Sequence, residues 1–107
     1  MADPIPTRAR LFLDAHPELV AAREQSRVWP RIKAGAALRV GGADLFVVGG
    51  DTLGGEDELW LDRLARGARP ASDPLSRALF VELPAALQTL VRRELLHERP
   101  PEHADGE

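Results

Sequence analysis

The residues with the most chemical promise gather between positions 49 and 62. Gly49-Gly50-Asp51-Thr52-Leu53-Gly54-Gly55 is rich in glycine and leads directly into Glu56-Asp57-Glu58. A glycine-rich connection ahead of a helix can hold phosphate on free backbone donors. That chemistry asks for G-x-G-x-x-G or a G-K-[ST] ending, and neither is present. Three carboxylates in the first helical turn would also repel the anion. The same acids, with Asp51 and Asp62, invite a divalent cation. An EF-hand loop counted from Asp51 wants oxygen donors at its third and fifth positions, glycine at the sixth and glutamate at the twelfth. The chain places Leu53, Gly55, Glu56 and Asp62 there. Acids in a first turn complement the positive end of the helix dipole without any ion, so neither metal nor cofactor is expected.

Covalent catalysis has as little support. His16, His97 and His103 form no paired motif, and Ser26, Ser72, Ser76, Thr7, Thr52 and Thr89 lie in no G-x-S-x-G context. The chain has no cysteine, which removes thiolate nucleophiles, disulfides and zinc–thiolate sites together. No catalytic residue is expected.

The stretch best suited to binding is Arg23, Arg27, Trp29, Arg31 and Lys33, with Arg39 beyond it. Arg23 and Arg27 are four apart and would share a helix face. A tryptophan among cations can anchor a protein partner or stack a base. Residues 1–40 hold seven basic and four acidic side chains, and the remainder seven and thirteen. This asymmetry can mark an electrostatic face. The near-balanced whole, net −3, argues against a dedicated nucleic-acid binder. The plainer reading is a solvated basic face beside a Trp29 that closes the core; as a binding surface, the five residues are expected to meet an unidentified protein partner ahead of nucleic acid.

These side chains must be positioned by short elements. Residues 1–6 read as an irregular arm, with two prolines in six. Thr7–Ala15 is a helical candidate, and Pro17 opens a second helix to about Arg27. Pro30 is expected to stop any helix that reaches it. Ala37–Val40 and Leu45–Val48 flank a Gly41–Asp44 turn and form a hairpin over 37–48. The second strand is continuously apolar, which predicts burial on both faces. Glu56–Arg66 is a helix with acids first and arginines last, Gly67 standing where a C′ glycine belongs. Asp73-Pro74 is a cap and a first-turn proline, and favours a helix over 75–83 despite the alternation of Leu79, Val81 and Leu83. Pro84 opens a last helix to about His97, with a stripe of Leu87, Leu90, Val91 and Leu95. That stripe can continue into a two-fold homodimer interface. Residues 98–107 are expected to be a disordered acidic tail.

The expected fold is α+β: a small antiparallel hairpin or sheet at about 37–48, packed with four or five short helices across a domain spanning 7–97. No apolar run approaches the roughly 20 residues of a membrane span. The N-terminus lacks a basic and apolar leader, and cysteine-free composition favours a reducing compartment. The expected function is a small cytoplasmic, non-enzymatic interaction or regulatory module. The alternatives are nucleic-acid binding through the basic segment, and a small ligand-binding or enzyme domain using the Gly49–Gly55 loop.

Overall fold

Proline and small polar caps decide where this chain turns helical. A computed structural model describes residues 7–49 and 52–97. The expected arm at 1–6 and tail at 98–107 lie outside the described residues. Helix α1 (Arg8–Ala15) starts where the Thr7 hydroxyl accepts from the Arg10 amide at 3.0 Å. Helix α2 (Pro17–Gln25) begins on Pro17, where the missing N–H has no helical partner to lose. It ends two residues short of Arg27, because Ser26 turns to extended backbone.

Pro30 does the opposite of what its position in the sequence suggests. It sits in the first turn of helix α3 (Trp29–Ala36), the one place a helix tolerates proline. Ser26, the C-cap of α2, ties the turn into α3, its Oγ accepting from the amides of Val28 and Trp29 at 3.2 and 3.0 Å. Ser26 in turn donates to the Glu82 carboxylate, which also accepts from the Arg27 amide at 3.0 Å.

Strands β1 (Ala37–Val40), β2 (Ala43–Gly49) and β3 (Thr52–Gly54) form an antiparallel sheet in the order β1-β2-β3. Gly41 and Gly42 take φ of 58° and 82° in the two-residue turn joining β1 to β2. Positive φ at both central residues fits a turn whose twist matches the strands. The glycine-rich segment expected to be a connection instead supplies β3. Leu53 pairs with Val47 and Gly54 with Phe46, and the register shifts between Val47 and Gly49. Gly54 is required there, since a Cβ would lie 2.9 Å from Val48 Cγ2 and 3.2 Å from Glu58 Cβ. With only Thr52 and Leu53 carrying side chains, β3 has almost no sequence signal.

Helix α4 (Glu56–Ala68) is the longest and packs on α1, α5, α6, β2 and β3. Its buried face is Leu59, Trp60, Leu64, Gly67 and Ala68. The Glu58 carboxylate reaches back to accept from the Gly55 amide at 2.8 Å, half of a capping box. Gly67 does not end the helix. It lies inside it, where α5 crosses so closely that a Cβ would fall 2.1 Å from the Ser76 carbonyl oxygen and 2.8 Å from Phe80 Cβ.

Helix α5 (Pro74–Glu82) is capped by Asp73, which accepts from the Ser76 amide at 3.1 Å. It buries Ser76, Leu79 and Phe80 and leaves Val81 exposed, so the alternating pattern carries no strand. Helix α6 (Ala85–Leu95) buries Leu90 and Val91 against the same core, with Leu87 and Leu95 packed at its margin. The stripe considered for a dimer is thus spent largely within the chain. Six helices among the described residues, rather than four or five, contribute to one core. At its centre Trp29 meets Trp60 edge to face, ring centroids 5.1 Å apart.

Two glycines give opposite expectations. Gly67→Ala forces a methyl into the α5 backbone, and denaturant unfolding should show a loss of about 1–3 kcal/mol despite the gain in helix propensity. Gly35, in α3, has open space where a methyl would stand, so Gly35→Ala should gain about 0.5–1 kcal/mol.

Candidate functional site

The five residues expected to form a binding surface are divided by the fold. Arg23 points inward from α2. Its Nη1 donates to Asp57 Oδ1 at 2.9 Å, and only 11% of its side chain is exposed. Arg10 of α1 reaches the other oxygen of Asp57 at 3.3 Å. Trp29 is 3% exposed, and its indole N–H donates to Glu56 Oε2 at 3.1 Å. Lys33 donates to the same oxygen at 3.3 Å. Three of the five are therefore committed to the first turn of α4, and Trp29 offers no free face for stacking. Arg27 and Arg31 remain exposed. They share no helix face, since Arg27 lies between α2 and α3. Arg31 borders a shallow cleft of about 460 Å³ with Val47, Arg63, Asp73 and Ser76, where Arg63 donates to the Val47 carbonyl at 3.4 Å.

The acids of α4 are accounted for in the same way. Glu56 and Asp57 meet cations, Glu58 caps Gly55, and Asp62 accepts from Arg66 Nε at 2.7 Å. Among the described residues no group of three or more His, Asp or Glu side chains could hold a metal ion. His16 lies against Phe12, centroids 4.6 Å apart, and Ser26 and Asp73 are helix caps. Asp51 and His103 lie outside the described residues.

The feature that sequence reasoning missed is the outer face of the sheet. Phe46 and Gly54 are paired and face α4, as Phe46 packs against the core and Gly54 abuts Glu58. Side chains alternate along strands, and directly paired residues share a face. The pairs Leu38–Leu45, Val40–Ala43 and Leu53–Val47 therefore lie on the opposite side. Leu38, Val40 and Leu53 are 45%, 48% and 42% exposed, and Leu45 and Val47 are half-buried. Strand β1 is exposed along its whole length and packs chiefly on β2. The continuous apolar run in β2 is thus covered on one face only, which corrects the expectation of two-sided burial. The available signal was the alternation Leu38–Val40 beside that run.

Comparison with protein-family models, with curated proteins and with solved structures finds no match to this chain.

Glu56 gives the inward network a pH signature. Partial burial works to raise its pKa, but the Trp29 N–H, Lys33 and Arg23 together outweigh that and hold the carboxyl below its ordinary value of 4.5. A carboxylate depressed in the folded state adds stability above its unfolded pKa and loses it as pH falls through the folded one. Glu56→Gln should therefore cost up to about 1 kcal/mol near neutral pH, the side chain being partly solvated. The gap from wild type should begin to close near pH 4.5 and vanish in more acidic solution, as followed by urea midpoints across pH.

Proposed function

We propose that this chain is a small, non-enzymatic protein-interaction module whose working surface is the outer face of the sheet, where it receives an apolar segment of a partner protein. The observation that supports this is the cluster of Leu38, Val40, Leu45 and Leu53 on one face of a sheet whose other face is covered by α4. Single exposed apolar residues are ordinary, and it is their gathering on one sheet face that favours an association surface. Intrachain pairing of Arg23, Trp29 and Lys33 moves the proposed contact away from the basic segment. No helix among the described residues is long and apolar enough to cross a membrane, and the cysteine-free composition supports a cytoplasmic setting.

The test compares two double variants in affinity purification from the native cell, each first checked for an unchanged circular dichroism spectrum and melting temperature. Leu38→Lys with Val40→Lys should lose the partners that wild type retains, because lysine on an edge strand keeps the fold but prevents apolar contact. Arg27→Glu with Arg31→Glu should retain them. The opposite pattern would return the interaction to the basic segment. Partners retained by both variants would reject the sheet face.

A further inference from the structure

We propose that the cleft between α3, β2, α4 and the start of α5 binds a free α-amino acid with an apolar side chain, its carboxylate on Arg31 and Arg63 and its ammonium on Asp73. The proposal does not depend on the interaction reading above. The cleft encloses about 460 Å³, within the range of small-molecule sites, roughly 300 to 1,000 Å³. Two cations flank it. Arg31 of α3 is exposed at its border. Arg63 projects from α4, and both of its contacts are long, 3.9 Å to Asp62 Oδ2 and 3.4 Å to the Val47 carbonyl. Guanidinium groups hold carboxylates through planar, paired N–H donors, and contacts of this length leave Arg63 free to turn to a closer acceptor.

Asp73 supplies the opposite charge. Its Oδ2 accepts from the Ser76 amide at 3.1 Å as the cap of α5, and the residue is exposed. The Ser76 amide above all, with Arg63 adding its charge, holds the Asp73 carboxyl below its ordinary value of 3.8, so it is an anion at neutral pH. Arg63 thus acts on Asp73 across the cleft while its guanidinium rests on Val47 and Asp62. A simple anion in the cleft would be repelled by Asp73, and a simple cation by the two arginines. A small ligand carrying both signs satisfies all three.

The rest of the lining is apolar. Ile32 and Ala36, one turn apart on α3, and Leu75 of α5 contribute to it, and they suit an aliphatic side chain. Gly35 keeps the cleft open, since a Cβ there would meet nothing within 4 Å. Ser76 also lines it. Ser76 is fully buried, and its Oγ makes no hydrogen bond of ordinary geometry. A buried hydroxyl left in that state calls for a polar partner from outside the chain.

The probe is L-leucine, titrated into the full-length chain and followed by amide resonances and melting temperature. A dissociation constant of about 1 mM or tighter is expected, with shifts at Gly35, Val47 and Ser76 and a higher melting temperature. Isocaproate, which lacks the ammonium, and isoamylamine, which lacks the carboxylate, should each bind about tenfold more weakly or worse. Asp73→Asn keeps a cap acceptor but loses the charge, so it should weaken leucine about tenfold and strengthen isocaproate. Arg31→Ala should weaken both ligands. Gly35→Leu should abolish leucine binding by filling the cleft, without lowering the melting temperature. Isocaproate binding as tightly as leucine would leave a plain anion site and overturn the proposal. Isoamylamine binding as tightly would leave a plain cation site and do the same. Leucine shifts that persist in Gly35→Leu, or no shift in wild type at about 10 mM ligand, would remove the site altogether.

Discussion

Helix α4 can lie at the centre of this protein because its last turn has no side chain where α5 crosses. At Gly67 the two backbones come so close that even a methyl group would collide with the Ser76 carbonyl. Close packing of that kind is unforgiving, since a backbone oxygen cannot rotate away as a flexible side chain can. The crossing aligns Leu64 and Ala68 of α4 with Leu79 and Phe80 of α5 in one buried cluster. It also fixes the direction in which Leu59 and Trp60 project. Trp60 then becomes the platform for Trp29, and through Trp29 helix α3 and the sheet that follows it are brought to the same core.

The other end of α4 is held by charge rather than by close approach. Its first turn collects Arg10, Arg23 and Lys33 from three different helices, with the Trp29 indole N–H as a fourth donor. The positive helix end and the cations act together on Glu56 and Asp57. Pairs of this kind, partly solvated, add little stability singly. Their larger effect is on geometry, because they orient α1, α2 and α3 around one point. A set of residues that looks in sequence like a partner surface is in this way used as an internal seam.

With one face of the sheet on α4 and the other open, the hairpin keeps several apolar side chains that its own chain leaves exposed. Strand β1 leans chiefly on β2, and its Leu38 and Val40 remain in contact with solvent. Arg39, midway along this edge, pairs with Asp44 of the next strand at 3.0 Å. A charge at the centre of an edge strand discourages indiscriminate sheet extension, while the apolar face above it stays available.

Much of the local structure is legible from sequence because its causes are local. Pro17, Asp73-Pro74 and the glycine pair at 41–42 act on the residues beside them, and the helices and hairpin they announce are present. The α+β class follows from those same signals. Pro30 misleads because its effect depends on whether a helix is ending or beginning, and the deciding contact is Ser26 on the Val28 and Trp29 amides. Gly67 misleads because a glycine after a charged helical turn resembles a cap until the helix crossing it is known. The candidate surface is illegible for a similar reason. Sequence shows that Arg23, Trp29 and Lys33 can bind something, and that Leu45–Val48 is apolar. Only the tertiary arrangement decides that the first set meets Glu56 and Asp57 across some 23 to 34 residues of chain while the strand keeps one face uncovered. Contacts between distant segments are fixed by packing, and packing is not written in the spacing of neighbours.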